Sequence, residues 1–175
     1  MIHLKNKGGD ITMQGIIHIR IDDRLIHGQV AAAWSTSLQA SRIMVINDEV
    51  ANNEFQKSIL RMAVQGSINT SILTKKKAYE NISNGKYASQ RVMILLKNPK
   101  DALDLIEMGL DIKEINVGNM ISDSETAIVV KQSLKLTPEQ IEQFKELERK
   151  GVKLTARMTI QEPETYLKDY LNKLN

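Results

Sequence analysis

Apolar and polar positions along the chain form short apolar runs that alternate with longer runs of helical periodicity. Continuous apolar runs predict buried strands, and apolar residues recurring every three or four positions predict amphipathic helices. Strands are predicted at residues 16–21, 42–47, 68–73, 91–96, 114–118 and 152–159. Helices are predicted at residues 30–38, 52–64, 75–82, 99–109, 138–150 and 163–174.

This alternation favours an α/β fold, with an open, mainly parallel twisted sheet and helices on both faces. The strand at 91–96 is the most apolar, and we expect it to be central. Residues 126–136 are rich in β-branched side chains and predict a short antiparallel excursion. We expect a single domain at 13–175, preceded by a disordered extension over residues 1–12 that lies ahead of a natural start at Met13.

The helix predicted at 52–64 carries apolar side chains at helical spacing, namely Phe55, Ile59, Leu60 and Ala63. In an amphipathic helix such a stripe faces the core. This spacing supports the helix assigned to residues 52–64.

Composition narrows the possible functions. The 175 residues include no cysteine, which excludes disulfides, thiolate nucleophiles and cysteine metal sites. A net charge of +3, scattered basic residues and 4% aromatic residues argue against nucleic-acid binding. No apolar run approaches the roughly 20 residues that span a bilayer. Motifs for a P-loop, a dinucleotide site, a zinc protease or a serine hydrolase are absent, so we expect no metal and no cofactor.

One segment concentrates chemistry where a parallel sheet binds its ligands, beyond the carboxyl end of a strand. The segment RIDDRLIHGQV follows the first predicted strand, and His27 precedes Gly28 and a helix. An imidazole at a helix N-terminus lies beside free N–H donors, which suits a group that becomes anionic when phosphorylated. Arg20 and Arg24 are nearby, and arginine is the usual bidentate partner of phosphate oxygens.

The other polar residues of this segment have less specific interpretations. Asp22 and Asp23 could orient His27 through one ring nitrogen and leave the other as the nucleophile. Gly28 and Gln29 open the helix and are candidate phosphoryl contacts. A histidine in a loop can equally be structural or merely solvated, and the spacing alone does not separate these alternatives.

Two later loops carry further candidates. Asp48, beside Glu49, could form an outer layer of the site or simply begin the following helix. Gly118 and Asn119 could line the same crevice, or they could belong to a plain turn in which Gly118 adopts a positive φ. His18 lies within a strand, where a buried or edge position with a hydrogen-bonded ring is expected.

The segment RIDDRLIHGQV resembles the IIB components of the mannose/fructose/sorbose class of the bacterial phosphoenolpyruvate-dependent sugar phosphotransferase system. The resemblance covers about residues 14–160, and further blocks that carry it are VINDEVANNEFQKSIL, RVMILLKNPKDALDLIEMG, EINVGNM and LTPEQIEQFKELERKGVKLTARM. The RxDxR pattern upstream of HGQV is specific, and its occurrence together with the NVG and KNP blocks makes chance similarity improbable.

This resemblance implies a phosphocarrier transferase. His27 would accept a phosphoryl group, expected on Nδ1, from a phosphohistidine of a IIA component and pass it to a sugar imported by the membrane components IIC and IID. Arg20, Arg24, Asp22 and Asp23 match the arginines and acids of the family's loop. The implied location is the cytoplasm, at the inner face of the membrane through IIC and IID. No metal or nucleotide is implied, and a homodimer is compatible with the family.

A second hypothesis is a regulatory or binding module that keeps the fold without the transfer reaction. The intact His27 with both arginines favours the transferase, because a degenerate copy would be expected to lose the histidine first. The sequence does not identify the sugar.

Overall fold

The computed structural model describes residues 11–174. Its strands are β1 (Ile16–Asp22), β2 (Arg42–Ile46), β3 (Asn69–Leu73), β4 (Val92–Leu96), β5 (Glu114–Ile121), β6 (Ile128–Lys131), β7 (Leu134–Leu136) and β8 (Lys153–Ala156). Its helices are α1 (Gly28–Ser37), α2 (Asp48–Ala51), α3 (Glu54–Ala63), α4 (Lys75–Ser83), α5 (Pro99–Glu107), α6 (Pro138–Arg149) and α7 (Leu167–Leu171), and a 3-10 turn follows at Asn172–Leu174.

The sheet has the order β3-β2-β4-β1-β5-β7-β6, and β8 also pairs with β5. Every pairing is parallel except that of β6 with β7, so the open, mainly parallel sheet and its antiparallel excursion are confirmed. The most apolar strand, β4, is buried along its length between β2 and β1. The carboxyl ends of β2, β4, β1 and β5 therefore meet at one edge of the sheet.

Helices cover both faces of the sheet, as the alternating pattern predicted. One core cluster joins the sheet to α4, α5, α6 and α7, with Phe144 of α6 fully buried in it. The other joins the sheet to α1 and α3 through Trp34 and Leu60. This second face matters for the site, because α1 carries His27 at its N-terminus.

One strand and one helix differ from their predicted extents by several residues. The strand predicted at 152–159 ends at Ala156. The helix predicted at 52–64 is confirmed as α3, which begins at Glu54 because the side chain of Asn53 accepts a hydrogen bond from the N–H of Gln56, and the short helix α2 before it was not predicted. The C-terminal helix begins at Leu167 rather than Pro163. Thr165 instead pairs with Ala156 of β8, whose N–H donates to the Thr165 carbonyl at 2.8 Å.

The apolar stripe predicted for residues 52–64 is not buried as a whole. Leu60 is buried and Ala63 is half-buried, but Phe55 is 75% exposed and Ile59 is 45% exposed. Helical spacing alone therefore does not show which side of α3 meets the sheet.

The N-terminal extension lies almost entirely outside the described residues. The disorder expected for residues 1–10 therefore concerns residues outside the described part of the chain. Ile11, the first described residue, forms a β-bridge with Leu110, and its N–H donates to the carbonyl of Gly109 at 3.1 Å.

Candidate functional site

Two buried apolar side chains hold the loop between β1 and α1. Leu25 and Ile26 are 6% and 4% exposed and pack in the core cluster beneath α1. Leu25 has a left-handed backbone with φ of 60°, and its N–H donates to the Asp22 carbonyl at 2.9 Å. That conformation costs a non-glycine residue about 1–2 kcal/mol. Burial of the leucine side chain, worth about 2 kcal/mol, offsets it.

His27 comes directly after these anchors and is exposed as the N-cap residue of α1. Its backbone is extended, with φ −132° and ψ 107°, and its side chain makes no hydrogen bond to any part of residues 11–174. The first turn of α1 contains no acidic residue. Its backbone N–H groups lack intrahelical acceptors, and they and the helix dipole favour an anionic group at this position.

Asp22 is the buried centre of the loop, at 1% exposure. Its Oδ2 accepts hydrogen bonds from Nη2 of Arg20 at 3.0 Å and from Nη2 of Arg24 at 2.9 Å. Its Oδ1 accepts from Nε and from the backbone N–H of Arg24, at 2.9 and 3.1 Å. Asp22 therefore fixes both arginines and makes no contact that orients His27.

Arg20 lies in the interior, at 2% exposure, rather than at the surface with His27. Besides Asp22, it donates to Oδ1 of Asn116 at 2.5 Å and to the main-chain carbonyls of Arg157 and Met158 at 3.1 and 2.9 Å. Burial lowers the pKa of Arg20, and the charge of Asp22 opposes that change. In this conformation Arg20 joins β1, β5 and the segment after β8, which differs from the expected phosphate contact.

Arg24 is the arginine that reaches solvent. Its side chain is 26% exposed, and its hydrogen bonds to Asp22 raise its pKa and keep it a cation. Within the described part of the chain, its Nη1 atom has no hydrogen-bond acceptor. Part of this guanidinium is therefore available to an external anion.

Trp34 attaches α1 to the same network. The Arg20 guanidinium lies 5.0 Å from the centroid of the indole, and Nε1 of Trp34 donates to the Met158 carbonyl at 3.1 Å. The ring of His18 stacks on Trp34 with centroids 5.1 Å apart. Burial, together with the charge of Arg20, lowers the pKa of His18 to about 4. His18 is thus a half-buried, neutral packing residue, but its Nε2 has no hydrogen-bond partner among the described residues, so the ring is not satisfied as expected.

Asp23 closes the other side of the loop against β5. Its Oδ1 accepts from Nδ2 of Asn119, and its Oδ2 accepts from the N–H of Ile121, both at 2.8 Å. Its own N–H donates to the Asn119 carbonyl at 2.9 Å. Both carboxylate oxygens are therefore occupied away from His27. Asp23 and Asn119 hold the loop to the sheet, in place of the ring-orienting and crevice-lining contacts expected of them.

Gly118 lies inside β5, so the plain turn considered for it is absent. Its φ is not in the left-handed region, and the reason for a glycine is contact with Arg20. A Cβ atom on Gly118 would lie 2.1 Å from Cζ of Arg20. The glycine makes room for the buried guanidinium and does not face the surface where a phosphoryl group would bind.

Gly28 and Gln29 are exposed at the start of α1. Gly28 has φ of 46°, and a Cβ atom there would meet nothing within 4 Å of the described structure. Gln29 lines a cleft of about 230 Å³ together with Trp34 and residues 159–161. Both residues therefore remain open to a ligand or a partner.

Asp48 is at the same edge of the sheet but is separated from β1 by β4. It begins α2, and its Oδ1 accepts a hydrogen bond from the Lys75 N–H at 2.8 Å. Asn47 provides the cap of α2 by accepting from Val50. The structure therefore favours the helix-start interpretation of Asp48 and its neighbour Glu49 and gives neither a contact with His27.

Comparison with known proteins identifies the family of the chain. Residues 16–175 match the family described as the PTS system sorbose subfamily IIB component. The chain belongs to this family of IIB components. The mannose/fructose/sorbose class that the sequence resembled is thereby confirmed, and components of this class are phosphotransferases of sugar uptake that act with a IIA component and with membrane components IIC and IID.

Individual relatives are similar to this chain over most of its length. It is 35% identical over 154 residues to the sorbose-specific EIIB component of Klebsiella pneumoniae, covering 88% of this chain and 93% of that one. The solved IIBSor domain of the sorbose permease of Klebsiella pneumoniae aligns with a TM-score of 0.86 and 34% identity, covering 93% of this chain and 99% of that one. The chain is also 35% identical over 156 residues to the mannose-specific EIIAB component of Escherichia coli K12, but those residues are 89% of this chain and 48% of that longer protein.

Sequence reasoning missed two features that adjoin this loop. The carbonyl of Met158, which binds both Arg20 and Trp34, lies in an irregular segment after β8 with no distinctive residue pattern. Lys97 lies beside the loop because β4 neighbours β1, and a single sequence does not reveal that strand order. None of the described helices is long and apolar enough to cross a membrane.

Proposed function

We propose that His27 carries the phosphoryl group in this IIB component. It accepts the group from a phosphohistidine of the IIA component and passes it to a sugar during import through IIC and IID. The observation that carries the proposal is the exposed, unbonded imidazole of His27 at the N-terminus of α1. His18, the other described histidine, is half-buried and stacked against Trp34, and its Nε2 atom is removed from solvent.

The first transfer exchanges one nitrogen–phosphorus bond for another. A ring nitrogen of His27 attacks the phosphorus atom, and the bond from phosphorus to the donor imidazole breaks. His27 gives up the proton of its other ring nitrogen, and the donor imidazole gains one. Because little covalent chemistry is required, the rate depends on alignment of the two rings and on donors that bind the phosphoryl oxygens.

The second transfer moves the group to the sugar. A sugar hydroxyl oxygen attacks phosphorus, the bond to His27 breaks, and the hydroxyl proton returns to the imidazole. In both steps Arg24 offers its free Nη1 to the phosphoryl oxygens, and the N–H groups of Gly28 and Gln29 lie at the helix end that favours negative charge. We place the protein at the inner face of the membrane during the second step, through its contact with IIC and IID.

The test is reconstitution of the carrier chain. Phosphoenolpyruvate, the general phosphotransfer proteins and IIA components of the sorbose, mannose and fructose systems are combined with wild type or with His27→Ala. Intact mass is read at neutral pH, because phosphohistidine is labile in acid. One phosphoryl group on wild type and none on His27→Ala is the expected result. No phosphoryl group on wild type with any phosphorylated IIA would contradict the proposal and favour a regulatory module.

A further inference from the structure

Lys97 is a half-buried cation at the edge of the sheet where His27 lies. Leu96 of β4 pairs with Ile21 of β1, so Lys97 follows β4 at the position where Asp22 ends β1. Adjacent strands are about 4.8 Å apart, which places Lys97 beside the loop that carries His27. Its side chain makes no hydrogen bond or ion pair within residues 11–174.

This lack of a partner distinguishes Lys97 from other lysines that are largely removed from solvent. Lys57, Lys75 and Lys131 have side chains less than one-fifth exposed, and each pairs with a carboxylate. A partly buried charge without a partner loses hydration and gains no compensating interaction. An external anion would supply the missing interaction for Lys97.

The charges of the loop itself cancel. Two arginines, Arg20 and Arg24, face two carboxylates, Asp22 and Asp23, and both arginines bind Asp22. A phosphoryl group carries a charge of about −1.5 to −2 near neutral pH. The loop therefore has no net positive charge to balance a phosphoryl group on His27, and a further cation is needed beside it.

Lys97 and Arg24 line the same cleft, of about 250 Å³. Its apolar wall is formed by Leu25, Val50, Ile59 and Leu60, and its polar wall also includes Asp23 and Gln56. The carboxylate of Asp23 already accepts hydrogen bonds from Asn119 and Ile121. The cationic donors that remain free in the cleft are thus the ammonium of Lys97 and Nη1 of Arg24, beside the uncharged side-chain amide of Gln56.

We propose that Lys97 is a catalytic residue of the transfer reaction, binding the phosphoryl oxygens together with Arg24 as the group moves onto and off His27. This inference rests on the proposed function of His27. The long flexible stem of lysine allows the ammonium to follow the phosphoryl group between its two positions. Lys97 supplies the positive charge that the balanced loop lacks.

The experiment compares steady-state transfer from phosphorylated IIA to wild type, Lys97→Gln, Lys97→Arg and Lys76→Gln. Lys76 is an exposed lysine of α4 and serves as the matched control. Loss of a charge-assisted contact predicts a kcat at least about 10-fold lower for Lys97→Gln. Lys97→Arg should recover most of this loss, and Lys76→Gln should equal wild type. The urea midpoint of Lys97→Gln should not fall below the wild-type value, because the variant removes a partly buried charge that has no partner.

Two results would overturn the inference. One is a wild-type kcat for Lys97→Gln, and the other is a loss confined to KM for IIA, which would make Lys97 a docking residue. If wild type is phosphorylated and Lys97→Gln transfers at the wild-type rate, only this inference is overturned and the proposed function of His27 stands. Absence of label on wild type would overturn the proposed function and this inference with it.

Discussion

Asp22 binds Arg24 through two parallel hydrogen bonds, each 2.9 Å long, from Nε to Oδ1 and from Nη2 to Oδ2. This bidentate pairing fixes the plane of the guanidinium and leaves Nη1 free of protein acceptors in the described structure. A buried aspartate therefore holds the one arginine of the loop that reaches solvent, three residues before the exposed His27.

Arg24→Lys is expected to slow phosphoryl transfer to His27 by about 10-fold while the protein stays folded. A lysine keeps the charge, but it does not form two parallel bonds to Asp22 and offer a third donor in the same plane. Transfer rates from phosphorylated IIA measure the effect. Arg61→Lys, at an exposed arginine of α3, is the control and should transfer at the wild-type rate. If Arg24→Lys transferred at the wild-type rate, the fixed geometry of the Arg24 guanidinium would have no role in transfer.

Asp22→Asn is expected to lower the free energy of unfolding by about 3–5 kcal/mol, because it leaves the buried Arg20 without its carboxylate. Urea unfolding at neutral pH measures this loss. Asp23→Asn should cost less, since Asp23 accepts from uncharged donors and is half-buried. Equal losses for the two variants would contradict the assignment of Asp22 as the centre of the ion-pair network.

Gly118→Ala is expected to destabilise the protein by about 3 kcal/mol or more. The new methyl group would occupy the place of the Arg20 guanidinium and would force it away from Asp22 and Asn116. Gly85→Ala is the control, because Gly85 has φ of 71° with open space around it and should cost only about 1 kcal/mol of backbone strain. Urea midpoints decide the comparison. Similar losses at both positions would argue against a steric requirement at Gly118.

His18 should make stability depend on acidity. The unfolded chain protonates this histidine near pH 6.5, whereas the folded protein resists protonation until about pH 4. The folded state thus binds fewer protons between these values, and the free energy of unfolding should fall as the pH drops through this window, by about 3 kcal/mol in total.

His18→Phe tests this directly, since phenylalanine retains a ring against Trp34 and does not titrate. We expect the variant to lose less stability than wild type between pH 7 and pH 4.5, measured by urea unfolding at each pH. An identical loss in both proteins would show that other groups account for the acid sensitivity.

The sequence predicts the sheet and the corner between β1 and α1 better than it predicts the surroundings of the residues in that corner. Apolar runs located the parallel strands, and the HG pair after the first strand correctly marked the start of α1. The two arginines of the loop nevertheless differ in burial. Arg20 lies in the interior against β5 and the segment after β8, whereas Arg24 reaches solvent. Nothing in the spacing RIDDR distinguishes the buried guanidinium from the exposed one.

The positions of Asp48 and Lys97 relative to His27 could not be predicted for a related reason. Each of these residues follows a parallel strand, so each lies at the same edge of the sheet as His27. Their relation to His27 depends on strand order, since β4 adjoins β1 while β2 lies one strand further away. Strand order is set by packing between distant segments, and a local pattern carries no record of it.

We expect His27 alone to carry the phosphoryl group. Locating that group on the chain tests this expectation directly. Trypsin separates the three histidines, since His3, His18 and His27 fall in residues 1–5, 8–20 and 25–42. The wild-type protein is phosphorylated through IIA, digested at neutral pH and mapped by mass. One phosphoryl group on residues 25–42 and none on the other two peptides is the expected result. A phosphoryl group on residues 8–20 or 1–5, or one that persists in His27→Ala, would contradict it.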